Sequence, residues 1–227
     1  MNDKHFNKYR KHLSDEVIKL SGFISVFRTL HERRNDRLDA MNMAPAFFRS
    51  VLNSLYSSIV LWSYKLYDEN SERGFCNLLN FVEGNLGMFS KTSFKERSGT
   101  DENHFLFRNN SWKPLTIDEI ESHRQMIRSN HAIANIKIQR DKFHAHFDSK
   151  YFFDRDKLDI DAPVTWNDLD SIKDLSKKLL SRYSKAFDGT GIAITPVNIE
   201  DINGILDIVK NYRDALFSDF DETKNGS

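Results

Sequence analysis

The sequence predicts an all-α protein, a helical bundle core with a long N-terminal helix and an additional C-terminal helix. Three observations carry this expectation. Apolar residues recur at three- and four-residue steps over long stretches, the period of one helix face. Breakers are scarce, with 9 glycines and 4 prolines in 227 residues, whereas phenylalanine reaches 18. Pro45, Pro114, Pro163 and Pro196 each stand just ahead of a helical pattern. A missing N–H and a fixed φ are tolerated there and not inside a helix.

The first helix is expected over about residues 3–41. Phe6, Tyr9, Leu13, Val17, Leu20, Ile24, Phe27 and Leu30 form its stripe. Lys8, Lys11, Asp15, Glu16 and Lys19, and later Arg33, Arg34 and Arg37, read as a solvated face. The second helix, from about Pro45 to Tyr67, is apolar on most of its circumference and is therefore central to a core or an interface. A third spans about Gly74 to Met88, with Cys76 as an inert residue among apolar neighbours. Residues 90–115 break the pattern and read as a polar excursion that hides a short helix or moves.

The fourth helix opens on Thr116-Ile117-Asp118-Glu119, read as a capping box. Ile120, Ile127, Ala134 and Ile138 continue its stripe to about Ala145. The fifth opens on Thr165 with an acidic Asp168 in its first turn, and Asp188-Gly189 stops it. Its inner face is Leu169, Ile172, Ser176, Leu179, Leu180, Tyr183 and Phe187. Ile192-Ala193-Ile194 is too short to define a sheet. A sixth helix runs from about Ile199 to Phe217. The expected organisation is one domain over 1–218 and a polar tail over 219–227 that frays.

Composition narrows the function classes. Lys plus Arg and Asp plus Glu both total 33, so the formal net charge is zero. A protein that coats long nucleic acid carries a basic excess, so any such contact here is local. One cysteine excludes an intrachain disulfide. The polar start of the chain and the shortness of its apolar runs point to a cytoplasmic protein without a membrane span.

The densest polar cluster is Arg140-Asp141-Lys142-Phe143-His144-Ala145-His146-Phe147-Asp148. Three readings compete. His144, His146 and Asp148 have the spacing of some metallohydrolase ligands, but on a helix residues two apart diverge by about 200°. The plain structural reading makes the histidines helix-end residues that a C-terminal dipole favours as cations. The third reading is metal-independent RNA cleavage. It needs a base for the ribose 2′-OH, an acid for the leaving oxygen and a cation for the phosphorane-like transition state. Histidine can do the first two and arginine the third. Arg140 and His146 are six residues apart and do not face the same way on one ideal helix, so two chains around a two-fold axis would complete the site.

Arg140-Asp141, four residues and then His146 resembles the motif of the HEPN superfamily: Arg, a polar residue, a short spacer and His. The fuller stretch to Asp148 is similar to the abortive-infection AbiU-like branch. So are Asn53-Ser54-Leu55 through Lys65-Leu66-Tyr67-Asp68, the Leu78-Leu79 helix and the Thr165-to-Phe187 helix. The resemblance covers about residues 44–190 and leaves the long N-terminal helix outside. It implies a HEPN-like four-helix core and a homodimer with facing motifs. It also implies a metal-independent endoribonuclease acting as a toxin or phage-defence effector, without a cofactor.

By position, Arg140 would hold the scissile phosphate, His146 would be the acid/base residue and Asp141 would orient the site. Lys142 and His144 would assist substrate binding, in a small basic cleft with Arg155. The implied partners are RNA, a second copy and an antitoxin or regulatory protein. Several relatives carry a tyrosine two residues after the histidine that a partner modifies. Asp148 stands there, so that regulation is not expected. The alternative is a catalytically silent HEPN dimer that binds RNA, nucleotide or protein.

Overall fold

The computed structural model describes residues 2–32, 38–101, 105–108, 111–144, 148–154, 156–196 and 200–224. All regular structure among them is helical. In chain order the helices are α1 (Asn2–Glu32), α2 (Leu38–Asn42), α3 (Pro45–Tyr67) and α4 (Phe75–Glu83). After a 3₁₀ turn over Leu86–Phe89 come α5 (Lys91–Ser98), α6 (Phe105–Arg108), α7 (Ile117–Arg128) and α8 (His131–Gln139). A π-helical turn, Arg140–His144, leads to α9 (Ser149–Phe152), α10 (Asp156–Asp161), α11 (Trp166–Asp188) and α12 (Asp201–Lys224). No described helix is long and apolar enough to cross a membrane.

Local chemistry sets most boundaries. α3 starts on Pro45 as expected. The excursion after residue 90 holds two short helices. Ser90 caps α5 by accepting from the Ser93 N–H at 3.2 Å, and Gly99 ends it in the left-handed region at φ 64°. At α11 the capping box is complete: the Thr165 hydroxyl accepts from the Asp168 N–H at 3.2 Å, and Asp168 Oδ2 accepts from the Thr165 N–H at 2.8 Å. Gly189, at φ 80°, ends it. α12 extends beyond the expected Phe217 to Lys224. Residues 33–37, with the arginines of the expected solvated face, lie outside the described residues.

Two expectations need correction. Thr116 caps α7, accepting from the Glu119 N–H at 3.2 Å, but the capping box is not reciprocal. The Glu119 carboxylate instead takes the Arg182 guanidinium as a fork, at 2.6 and 2.7 Å. A bidentate charge-assisted pair outcompetes one backbone N–H. The single fourth helix is in fact two. α7 ends at Arg128, and Asn130 begins α8 by accepting from the N–H groups of Ala132 and Ile133 at 2.9 and 3.3 Å. This break resets the buried face. Ile120 and Ile127 are buried, but Ala134 and Ile138 are exposed, and Ala132, Ile136 and Gln139 take the inner positions.

The backbone contacts divide into two compact units. The larger comprises residues 1–20 and 60–195. Its core is organised on α11, whose seven expected inward residues are all buried. Phe187 of α11 lies 4.5 Å from the Phe6 ring, which meets Phe89 edge-on at 5.2 Å. The buried Tyr67 hydroxyl donates to the Ile172 carbonyl at 3.0 Å. Each such large apolar side chain contributes about 1.5–3 kcal/mol on burial. The smaller unit comprises residues 21–59 and 196–227. Leu30, Met41, Phe48 and Leu206 form its core, and Arg213 pairs with Asp39 at 2.9 Å.

Candidate functional site

The cluster singled out in the sequence begins where α8 ends. α8 is held to the segment before α11 by two side-chain amides. Asn135 Nδ2 donates to the Pro163 carbonyl at 2.7 Å, and the buried Gln139 Nε2 donates to the Ala162 carbonyl at 2.8 Å. At the N-terminal end of α8, His131 Nε2 lies 2.6 Å from Asp168 Oδ1. Asp168 is buried and His131 exposed. Burial pushes the Asp168 carboxyl up, but the Thr165 donors and His131 outweigh it and hold the group below its ordinary range. Both ends of α8 are thus tied down before the chain reaches Arg140.

From Arg140 to His144 the helix widens to a π-helical turn. Such turns are rare and frequently occur at functional sites. The Arg140 guanidinium donates to Asp141 Oδ1 and lies over the Tyr64 ring of α3, 3.5 Å from its centroid. The Arg140 side chain remains 25% exposed. Burial, then the neighbouring Asp68 carboxylate, push the Tyr64 hydroxyl above its usual pKa, against the opposing pull of Arg140. Tyr64, Asp68, Arg140 and Asp141 therefore form one charged and aromatic group.

Phe143 anchors the turn against Tyr151, Leu158 and Ala162. The His144 ring, half-buried, meets Phe143 edge-on at 5.3 Å. Lys142 Nζ donates to Asp148 Oδ2 at 2.9 Å, and the Asp148 N–H donates to the Lys142 carbonyl at 3.1 Å. The Lys142 hydrogen bond holds the Asp148 carboxyl below its ordinary range and raises the Lys142 amine. Asp148 also caps α9, accepting from the Lys150 N–H at 3.0 Å.

The structure thus brings Arg140, Asp141, Lys142 and His144 onto one turn. His146 and Arg155 lie outside the described residues. Among the described residues, no three His, Cys, Asp or Glu side chains are grouped to hold a metal ion. Cys76 is partly buried, and burial raises its thiol pKa.

Sequence reasoning missed Tyr64 as a group around the cluster, and the His131–Asp168 pair at the far end of α8. Tyr64 lies within the stretch that resembles the AbiU-like branch, yet nothing local marks it, because its role depends on α3 meeting the turn after α8. His131 could have been found as the residue after a strong N-cap, Asn130.

A family model described as AbiU2, of the HEPN type, matches residues 3–217. The chain belongs to the HEPN AbiU2 family. The match extends beyond the resemblance of residues 44–190, so the long α1 lies inside the AbiU2 unit, contrary to the expectation that it stood outside. No curated protein and no solved structure matches the chain.

Proposed function

We propose that the protein is a metal-independent endoribonuclease of the HEPN type, acting as a toxin or phage-defence effector. The observation that carries this reading is the π-helical turn at the family motif. It carries a partly exposed guanidinium held between Asp141 and Tyr64. A planar fork of this kind is suited to two oxygens of a scissile phosphate. In the proposed chemistry an imidazole of His146 takes the ribose 2′-OH proton, and the oxygen attacks phosphorus. The 5′-oxygen leaves with a proton from a second imidazole, that of the other copy in a homodimer. Arg140 neutralises the oxygens that gain charge, Asp141 orients it, and Lys142 and His144 contact the strand.

Exposed apolar side chains on α12, Ile205, Ile208 and Tyr212, are the kind of surface a second copy can cover. One observation favours the alternative, a catalytically silent RNA- or protein-binding dimer. Arg140 and Lys142 are both engaged by carboxylates of their own turn, Asp141 and Asp148. In the catalytic reading, Asp141 keeps its hold on Arg140, whose fork has further donors for phosphate, while phosphate displaces Asp148 from Lys142.

The test is digestion of RNA in EDTA by the wild type, Arg140→Ala and His146→Ala, with the product ends analysed. Cleavage that leaves 2′,3′-cyclic phosphate and disappears in both variants is the expected result. Absence of variant-sensitive cleavage on any RNA, cellular or phage, would leave the silent dimer.

A further inference from the structure

A second feature lies away from the Arg140 turn. It is a groove of about 800 Å³ between the start of α1, the end of α3 and the segment leading into α4. Its floor is apolar, with Leu13 and Leu66 buried. Tyr9 closes it, donating to the Gly74 carbonyl at 2.9 Å, and burial pushes its hydroxyl up to about 12, so it stays neutral.

The rim carries the cations Lys8, Lys65 and Arg73. His5, Lys8 and His12 rise along one face of α1, at steps of three and four residues. Those steps are about 4.5 and 6 Å along a helix axis, a spacing that suits successive phosphates of one strand. Lys65 and Arg73 stand on the opposite wall. Two carboxylates reach the groove, Glu16 and Glu72. Glu16 is already engaged by the Trp62 Nε1–H at 2.7 Å and by Lys19 at 2.8 Å. Lys8 and Arg73 have no carboxylate partner among the described residues, so both ammonium and guanidinium are available to an anion. Lys65 caps the Trp62 ring, 4.4 Å from its centroid, and its head can swing to a phosphate without leaving the groove.

We propose that this groove is an exosite for the backbone of single-stranded RNA, with Lys8, Lys65 and Arg73 as phosphate contacts. It extends the proposed function, because it rests on RNA being the substrate. A zero net charge is compatible with it, since binding needs only a local cationic track beside aromatic surface. An acidic peptide is the competing occupant. It fits less well, because the groove sets the Trp62 ring and the His5 and His12 imidazoles beside the cations, flat surfaces of the kind on which bases stack.

The experiment measures fluorescence anisotropy of a 5′-labelled oligouridylate on full-length His146→Ala protein, across a potassium chloride series. A second protein adds Lys8→Glu and Arg73→Glu, with a thermal melt to confirm that it folds. The expected result is at least a tenfold loss of affinity and a salt slope shallower by about 1.4, for two lost phosphate contacts. An unchanged affinity and slope would overturn the proposal. So would binding of poly-glutamate without binding of RNA. Cleavage of a dinucleotide by the wild type reads the Arg140 site separately. If dinucleotide cleavage is absent but the charge reversals still weaken oligouridylate binding, the ribonuclease reading fails and the exosite stands. If dinucleotide cleavage is present but the reversals change nothing, the exosite fails alone.

Discussion

Asp168 joins α8 to the N-terminal cap of α11, and its removal should show how firmly α8 is mounted. Its Oδ2 accepts from the Thr165 N–H and hydroxyl at 2.8 and 2.7 Å, while Oδ1 faces His131 at 2.6 Å. Asp168→Ala deletes half of a capping box, worth about 1 kcal/mol. It also leaves a part-buried Thr165 N–H without its acceptor, at roughly 1–3 kcal/mol. The His131 pair adds little, about 0.2–1 kcal/mol, because the imidazole is exposed. The sum is roughly 2–5 kcal/mol, or a melting temperature lower by roughly 4–20 °C in a chain of this size. Asp168→Asn keeps the acceptor and should cost about 1 kcal/mol. Urea titrations at pH 7 measure both from the shift in midpoint. The carboxyl is held low in the folded chain, so its contribution is present above the ordinary carboxylate range and is lost as pH falls through the folded value. The gap between wild type and Asp168→Ala should therefore narrow in acid. An alanine variant within about 0.5 kcal/mol of wild type, or an asparagine variant as damaging as alanine, would refute the account.

Gly74 caps α4 at an ordinary φ of −87°, so space rather than conformation constrains it. A Cβ there would stand 2.8 Å from the Leu66 carbonyl oxygen, and Gly74→Ala should cost about 1–3 kcal/mol in a urea titration; a neutral outcome would contradict the clash. His123 is buried with Nδ1 2.8 Å from the Tyr183 hydroxyl, and burial lowers its pKa. The unfolded chain therefore takes up a proton first. Stability should fall as pH drops below about 6.5, level off beneath the folded pKa, and vary less over that window in His123→Gln. If the Tyr64 ring holds Arg140 for catalysis, Tyr64→Leu should slow RNA cleavage by about three- to thirtyfold, from a cation–π contact of about 0.5–2 kcal/mol. Tyr64→Phe should keep most of the rate, and equal loss in both variants would shift the role to the hydroxyl.

The elements legible in the sequence were those whose signals are local and agree with one another. α3 runs from Pro45 to Tyr67 as expected, because a proline start and a dense apolar pattern coincide. α11 was legible for the same reason, from its Thr165 cap through its inward face to Gly189. The break between α7 and α8 was not legible from periodicity. Ile127, Ala134 and Ile138 continue an apparent stripe across it, and apolar spacing cannot register that a side-chain amide has restarted the helix. Glu119 shows the same limit in electrostatics. Its local sequence signals a reciprocal cap, but its carboxylate is taken by Arg182, 63 residues away. Around the candidate site, Arg140, Asp141, Lys142 and His144 were legible as one cluster. Tyr64 was not, since only the packing of α3 on the turn gives it a role.

The turn also changes how the motif's spacing is to be understood. On an ideal α-helix, Arg140 and His146 would face different ways, and His144 and His146 would diverge. From Arg140 to His144, however, each backbone bond spans one residue more than in an α-helix, so successive side chains rotate less. The Asp148 N–H donates to the Lys142 carbonyl at 3.1 Å, so Asp148 lies beside the turn that carries Arg140. The ideal α-helical angles therefore do not apply from Arg140 to His144. The case for a composite site in a homodimer then rests on chemistry rather than on helix geometry. One strand-cleaving step needs a basic imidazole and an acidic one at the same phosphate, and a two-fold arrangement supplies both from a single His146 position. Titrating His146→Ala protein into the wild type tests this directly. If one phosphate needs both imidazoles, subunit exchange should lower cleavage as the square of the wild-type fraction, because a mixed dimer keeps only one of them. If each chain closes its own site, cleavage should fall in proportion to the wild-type fraction.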